Sequence, residues 1–380
     1  MLRILCTAVV ACAILFSCSN APKNEILTID VEKAVDGQRK GVNLSEWVSD
    51  LDYIALETDT VVLPNYKSFD LVPTKSGFVF TPKMGRSPLY NFDASGKFIN
   101  SVSRIGRAYG EYPTARMSHY DETSGKFTVV DINGKVWVYT LAGDFLYEIP
   151  VESLTEYSKV RDFLQFDGNV FLLTRKKDML SLDALEIDSL GIVKCERELL
   201  VYNDVDKFDS AEAYFYYDNC ARIIHKSVDT IFSVTSDLDI KPAFALNFGK
   251  YKDGKKRKIT LGGNAKGETE DFVLLQTTHI VDYFDNIPPK ERLNYLLFDK
   301  RDGTSTLMAK NENDMHGFVN DIDNGAPFLP VKIVDGKMYQ IIDAASFIEF
   351  SKNSSSDKMK KVAATLTEES NPVIVVATLK

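Results

Sequence analysis

From residue 26 onward the apolar positions fall in runs of four to seven residues, rich in Val, Ile, Phe and Tyr and broken by Gly, Asp, Asn and Pro. Phe78-Val79-Phe80, Phe127-Thr128-Val129-Val130, Val136-Trp137-Val138-Tyr139 and Val170-Phe171-Leu172-Leu173 are examples. A helix needs a 3.6-residue apolar period held over ten or more positions, whereas runs this short between turn residues predict strands. Between residues 26 and 350 no long helical period occurs, and the helix candidates are short: 151–157, 290–293 and 344–353. The pattern predicts an all-β chain.

Two repeats organise these strands. A turn leading into a strand recurs at Ser76-Gly77-Phe78, Ser124-Gly125-Lys126-Phe127, Asp167-Gly168-Asn169-Val170 and Asp335-Gly336-Lys337-Met338, the first three glycines lying 48 and 43 residues apart. A hairpin recurs at 90–98 and 137–145, offset by 47 residues, with Gly96 and Gly143 each four residues after an aromatic; 295–303 is a third copy with one extra turn residue. Glycine suits such turns because positive φ costs it little. A period of 40 to 50 residues holding about four strands is the size of one β-propeller blade, and a blade hides both apolar faces only by stacking against neighbours around an axis. Dividing residues 43–380 by this period gives seven blades, but six longer ones fit as well, because the strict spacing is lost after Gly168. Propellers often complete one blade with strands from both chain ends. Residues 26–31 alternate cleanly and 372–379 form a strand-like run, so these ends are predicted to meet in one blade, with 352–370 as a polar, partly helical excursion before closure.

The first residues follow a different rule. Arg3 precedes an apolar run from Ile4 to Phe16, which is short for a bilayer span and the right length for the core of a signal peptide. Leu15-Phe16-Ser17-Cys18 looks like a lipobox, in which the cysteine is acylated and becomes the mature N-terminus; the plainer alternative is a signal peptide cut near Ala21. The predicted organisation is a signal peptide over 1–17, a lipidated tether over 18–25 and a single propeller domain over 26–380. Acyl chains hold a protein on a membrane without a transmembrane helix. No acidic residue directly follows Cys18, which by likeness to Gram-negative lipoproteins favours the outer membrane. Export also changes how the cysteines read. Beyond Cys18 only Cys195 and Cys220 remain, and they are read equally as a disulfide or as two buried thiols in separate strands. The charge balance, 45 Lys+Arg against 54 Asp+Glu for a net −9, argues against a nucleic-acid partner, which requires clustered basic residues.

Five segments, taken in order, resemble a family of bacterial six-bladed, NHL-like β-propeller lipoproteins without an assigned activity. They are Leu44-Ser45-Glu46-Trp47 continuing to Thr58; Ile105-Gly106-Arg107-Ala108-Tyr109-Gly110-Glu111-Tyr112; Asp229-Thr230-Ile231-Phe232 leading to Phe248-Gly249-Lys250-Tyr251; 317–330; and Asn371-Pro372-Val373-Ile374. At the second segment the family often carries Gly-x-Gly-Pro-Gly-Glu-Tyr, and this chain has Ala108 and Tyr109 in place of the inner Gly and Pro. The resemblance implies six blades of four antiparallel strands and a cell-envelope location. It supplies no mechanism.

Candidate chemistry is sparse. His119, His225, His279 and His316 have no i,i+4 pair and no HExxH motif, so a zinc site would need ligands from distant strands. Asn320, Asp321 and Asp323, followed by Gly325, begin like a calcium loop but lack its closing glutamate, which favours a tight Asx turn. Asp204, Asp206 and Asp209 read as a solvated loop. Some six-bladed propellers are metal-dependent lactonases whose Glu, Asn and Asp converge on the central channel; Glu57, Asn320 and Asp321 are what such a site would draw on here, with a divalent cation in the channel. No GxSxG, P-loop or dinucleotide fingerprint occurs. Lys255-Lys256-Arg257-Lys258 reads as a basic hairpin tip, solvated or touching an anionic partner. Tyr214-Phe215-Tyr216-Tyr217 reads as strand packing or as a surface for sugar rings. On this reading the protein is a monomeric, lipid-anchored, extracytoplasmic binding or scaffold module for a protein or carbohydrate partner, with no catalytic residue or resident cofactor assigned. The alternative is a metal-dependent hydrolase or lyase at the channel.

Overall fold

In a computed structural model that describes residues 26–63, 65–149, 162–166, 169–174, 181–187, 193–201, 213–224, 228–254, 256–280 and 286–380, the predicted strands assemble into six four-stranded antiparallel sheets. The chain begins with β1 (Thr28–Asp30), α1 (Val31–Asp36) and β2 (Val48–Ala55). Blade 1 is β3 (Phe69–Thr74), β4 (Gly77–Pro82), β5 (Tyr90–Asp93) and β6 (Phe98–Ser101). Blade 2 is β7 (Ala115–Asp121), β8 (Lys126–Asp131), β9 (Val136–Thr140) and β10 (Phe145–Ile149). Blade 3 is β11 (Asp162–Phe166), β12 (Asn169–Thr174), β13 (Ser181–Ile187) and β14 (Val193–Val201). Blade 4 is β15 (Ala213–Tyr217), β16 (Cys220–Ile224), β17 (Thr230–Val234) and β18 (Ile240–Asn247). After the small hairpin β19 (Lys252–Asp253) and β20 (Lys256–Arg257), blade 5 is β21 (Ile259–Glu268), β22 (Phe272–His279), β23 (Leu293–Asp299) and β24 (Thr304–Leu307). Blade 6 is β25 (Lys332–Val334), β26 (Lys337–Ile342) and β27 (Val373–Leu379), completed by β2.

Six apolar clusters hold these sheets together, one between each pair of neighbours, so the ring is closed. Strand alternation produces this directly, because successive side chains leave a sheet on opposite faces. In β4, Phe78 and Phe80 face blade 6 while Val79 faces blade 2. In β22, Phe272 and Leu274 face blade 6 while Val273 and Leu275 face blade 4. Second strands are therefore apolar on both faces, which is why they read as unbroken runs. Each buried Phe or Leu contributes about 1.5–3 kcal/mol.

The repeats mark equivalent places. Gly77, Gly125 and Gly336 lie in the turns between first and second strands of blades 1, 2 and 6, while Asp167-Gly168 lies outside the described residues. The 90–98, 137–145 and 295–303 hairpins join third strands to outer strands or lead into them in blades 1, 2 and 5. The hairpin glycine has a second task. At Gly96 (φ +88°) a Cβ would sit 2.1 Å from the carbonyl oxygen of Ala55, and the Gly96 carbonyl accepts the Glu57 N–H at 2.8 Å. At Gly143 the Ser101 carbonyl oxygen would lie 3.0 Å from a Cβ. The missing side chain thus seats the end of the preceding blade's outer strand.

Both chain ends do meet in one blade, but the closing N-terminal strand is β2 and not residues 26–31. β2 pairs antiparallel with β27 from Val48↔Leu379 to Ala55↔Val373. Residues 28–30 instead form β1, added in parallel to the outer edge of blade 4 (Thr28↔Ala245). The reason lies in packing: Ile29 and Val31 are fully buried in the seam between blades 4 and 5, a place that β2 does not reach. From there the chain runs along the rim as a strap, with backbone bonds from Lys40 to Leu307 and Ala309 on blade 5 and between Leu44 and Val319 before blade 6. The predicted excursion holds the end of α3 (Ala344–Asn353), capped by Asp343, and α4 (Asp357–Ala363), capped by Ser356. α4 covers β2, the outer strand of blade 6, and Lys358 pairs with Asp50 and Asp52 at 2.9 and 2.8 Å. The 290–293 candidate is one turn, α2 (Pro289–Arg292), and 151–157 lies outside the described residues. Among the described residues no helix is long and apolar enough to cross a membrane.

Candidate functional site at the propeller axis

The six first strands, β3, β7, β11, β15, β21 and β25, form the inner edges of their sheets and line the axis. His119 on β7 lies with its ring 5.8 Å from that of Phe163 on β11 and 5.3 Å from that of Tyr216 on β15. Lys332 on β25 lies near enough to act on its protonation. Side chains from blades 2, 3 and 4 thus meet at the inner strands, and the charge of Lys332 on blade 6 reaches them. His119 and Lys332 keep partial solvent contact while protein surrounds them on every side.

Burial, and then the Lys332 charge, pull the His119 pKa down to about 3, with Asp121 opposing. Burial also lowers the Lys332 pKa, while Asp70 and Asp335 pull it back up. Neither side chain makes a hydrogen bond or a close ion pair among the described residues. Nearby on β11, Gln165 donates its backbone N–H to the Tyr216 hydroxyl at 3.1 Å, and its buried side-chain oxygen has no partner among the described residues. A neutral imidazole offers one donor and one acceptor, and an ammonium offers three donors. A partly buried ammonium held by no close ion pair is costly, and Asp70 and Asp335 act on it only from a distance, so the arrangement favours an anion beside it.

The same burial predicts acid sensitivity. His119, and His316 with a pKa lowered to about 4 by burial and by Lys310 and Arg39, are neutral when folded and titrate near 6.5 when unfolded. The unfolded chain then binds more protons, so stability is complete above pH 6.5 and is lost as the pH falls towards 4 and 3. His119→Phe keeps the ring contacts without the titration, and is expected to lose up to about 2 kcal/mol less than the parent between pH 7 and 5. Urea unfolding at the two pH values measures this, and identical pH dependence in both proteins would refute it.

The other residues singled out in the sequence lie elsewhere. Asp321 accepts hydrogen bonds from the Ser45 N–H at 2.9 Å and the Ser45 hydroxyl at 2.5 Å. Asp323 accepts from the Asn320 side-chain amide at 2.8 Å, the Gly325 N–H at 2.9 Å and the Tyr53 hydroxyl, and its carbonyl accepts from Ser354 and Ser355. The 320–325 loop is an Asx turn that ties the strap to the α3–α4 junction. Asp323→Ala is expected to cost about 3 kcal/mol by orphaning these donors, while calcium and chelator leave the parent's melting temperature unchanged; a calcium-induced rise in a thermal melt would contradict the assignment. Glu57 accepts from the Phe98 N–H at 3.0 Å, on an open rim groove of about 530 Å³ between blades 6 and 1. It sits beyond one end of β2 and Asp321 beyond the other, roughly 25 Å apart at 3.3 Å per residue. Glu57, Asn320 and Asp321 therefore do not converge on the channel. Among the described residues no group of three His, Cys, Asp or Glu is placed to hold a metal ion.

His279 on blade 5 stacks on Tyr251, and His316, in the connection after β24, packs edge-on to Tyr295 of β23. Cys220 is a half-buried free thiol. Cys18, Asp204, Asp206, Asp209, His225, Lys255 and the Cys195 side chain lie outside the described residues. The basic run is not a solvated tip throughout: Arg257 is buried, with its guanidinium 4.3 Å over the Phe248 ring and bonded to the Val228 carbonyl and Asp229. Burial lowers its pKa to about 10 against the pull of Asp229. Of the aromatic run, Phe215 fills the seam to blade 5, Tyr214 and Tyr216 pack at the seam to blade 3, and Tyr217 covers Lys300. Lys332 gave no sequence signal, because its nearness to His119 exists only once the ring closes.

The fold and its axial cluster define a six-bladed β-propeller with a polar, aromatic-walled centre. The chain belongs to the DUF4934 family, a domain of unknown function whose family model matches residues 26–378. No curated protein matches the chain. A solved structure from Bacteroides fragilis, described as an exported protein, superposes with a TM-score of 0.64 at 17% identity, covering 94% of this chain and 100% of its own. A DUF4221 family member from Bacteroides vulgatus gives 0.47 at 10% identity over 90% and 99% of the two chains. Virginiamycin B lyase from Staphylococcus aureus gives 0.38 at 13% identity over 71% and 77%. The first is a likeness of fold alone, and the other two superpose too loosely to inform this chain.

Proposed function

We propose that the protein is an exported binding module, tethered to the outer membrane through an acylated Cys18, that holds a small anionic molecule at its axis. The observation that carries the ligand reading is Lys332, an ammonium without a close ion pair among the described residues, whose charge reaches the neutral His119 ring, itself packed on the Tyr216 ring. An anion would accept hydrogen bonds from Lys332 and His119, and its body would lie against Tyr216. Export is supported by the apolar run before Cys18 and by the description of the Bacteroides fragilis structure as an exported protein.

A thermal-shift series with small carboxylates and inorganic phosphate tests the ligand reading. A ligand at a hundred times its Kd stabilises by about 2.7 kcal/mol, and that gain is expected to vanish in Lys332→Met. If no anion raises the melting temperature, or if Lys332→Met keeps the effect, the axis is not the site. Mass spectrometry of the Cys18 peptide tests the tether: an unmodified cysteine would remove it.

A further inference from the structure

Away from the axis, the connections over blades 1 and 2 carry an unusual set of charges for a chain of net −9. Arg86 lies between the second and third strands of blade 1, Arg104 and Arg107 lie between blades 1 and 2, and Arg116 is the second residue of β7. By propeller topology these connections share one face of the disc. The antiparallel bridge Gly85↔Ala115 sets Met84 opposite Arg116, and Arg86 follows on the same segment. Arg86, Arg104 and Arg107 are exposed, and none of the four guanidiniums makes a hydrogen bond or ion pair among the described residues.

The same connections expose two apolar side chains, Met84 beside the Arg86 segment and Tyr109 two residues after Arg107. Met84 is 68% exposed and Tyr109 is 92% exposed. Tyr109 tops a loop that is rigidly built: Glu111 accepts the Ala108 N–H at 3.1 Å, Gly106 donates to the Tyr112 carbonyl at 3.1 Å, and the Tyr109 ring stands edge-on to Phe145 at 5.0 Å. This is the segment where the chain carries Ala-Tyr between the glycines. A tyrosine held at a loop tip presents an apolar ring with a polar hydroxyl, which suits the boundary between water and lipid.

We infer that this face docks on an anionic phospholipid bilayer, with the four arginines on headgroup phosphates and Met84 and Tyr109 in the interfacial layer. Unpaired cations around protruding aromatic and thioether side chains fit a membrane surface, which needs no shaped groove. The inference rests on the reading of Cys18 as an anchor for the reach it gives. The eight residues 18–25 reach at most about 28 Å, and the described chain joins the ring through β1 at blade 4, opposite blade 1, so docking there would lay the disc flat.

The test uses the non-acylated chain over residues 19–380, which contains the whole ring, in sedimentation with vesicles of neutral phosphatidylcholine with and without about 30% phosphatidylglycerol. Each arginine near an anionic surface is worth about fivefold in partitioning. Arg86→Ser with Arg107→Ser is expected to lower binding to the anionic vesicles about twentyfold, with raised salt acting alike, and Tyr109→Ser to lower it further. Arg86 and Arg107 make no bond that supports the fold and Tyr109 makes a single surface ring contact, so melting temperatures should hold to within a few degrees, and Lys352→Ser serves as the control. Equal binding to neutral and anionic vesicles, no binding, or binding untouched by the substitutions would overturn the inference. Binding to polyglutamate but not to vesicles would assign the face to an acidic protein. Because the chain carries no lipid, failure here is separate from failure of the Cys18 reading.

Discussion

Glu268→Ala is expected to destabilise the protein by about 3–5 kcal/mol, because it leaves two buried cations without the anion they share. Glu268 ends β21 with its side chain 2% exposed, and it faces both cations at the seam of blades 4 and 5. Its carboxylate meets the Arg222 Nε at 2.7 Å and the Lys300 Nζ at 2.8 Å, while Arg222 also donates to Ser233 at 2.7 Å and Lys300 to the Thr269 carbonyl at 2.5 Å. Tyr217 closes the cluster, with Lys300 4.5 Å and Arg222 5.4 Å from its ring centre. Removing the single anion strands both cations away from water, whereas removing all three charges together does not. Glu268→Leu combined with Arg222→Met and Lys300→Met should therefore recover most of the loss. Urea unfolding at pH 7 measures both proteins. A loss below about 1 kcal/mol for Glu268→Ala, the range of solvated ion pairs, would mean that water reaches the cluster.

Deleting residues 373–380 is expected to abolish folding. β27 lies in the middle of blade 6, between β26 and β2, and Val373, Val375 and Ala377 face blade 5 while Ile374 and Val376 face blade 1. Its loss opens two seams and leaves β2 with nothing to pair with. Removal of residues 26–41 should behave differently. The closed ring survives, and the cost is the burial of Ile29, Val31 and Ala34 with the β1 ladder, about 4–6 kcal/mol at 1.5–3 kcal/mol for each larger side chain. Circular dichroism with heating distinguishes the two: a cooperative transition at lower temperature for the N-terminal deletion, and none for the C-terminal one. A folded C-terminal deletion would mean that the ring does not depend on its seam.

The legible part of this fold is the part that local turns mark. Glycine in those turns reveals the period, and the copies at Gly77, Gly125, Gly96 and Gly143 fall at equivalent places. Blade 4 carries no such mark because its first turn uses Asp218 and Asn219 at φ 51° and 53°, so the left-handed conformation is there without glycine. Blade 5 lacks the first-turn mark because its turn between Glu268 and Phe272 has no glycine, and carries only the third-to-outer-strand copy at Gly303. β1 and β2 look alike along the chain because both alternate, and only the partner strand decides which one closes the ring. The axial cluster is invisible for a related reason: His119, Tyr216 and Lys332 are scattered along the chain and no local pattern joins them.

The seam between β2 and β27 also sets an order of events. β2 is among the first strands made and its partner is the last, so at about 5–20 residues per second it waits for tens of seconds. During that time an unpaired strand invites wrong partners, and charges along it are a common safeguard. Asp50 and Asp52 supply such charges on β2, and Lys358 neutralises them only when α4 settles over the finished ring. The same two carboxylates thus act first as a guard against aggregation of the nascent chain and afterwards as the latch on its last-formed joint.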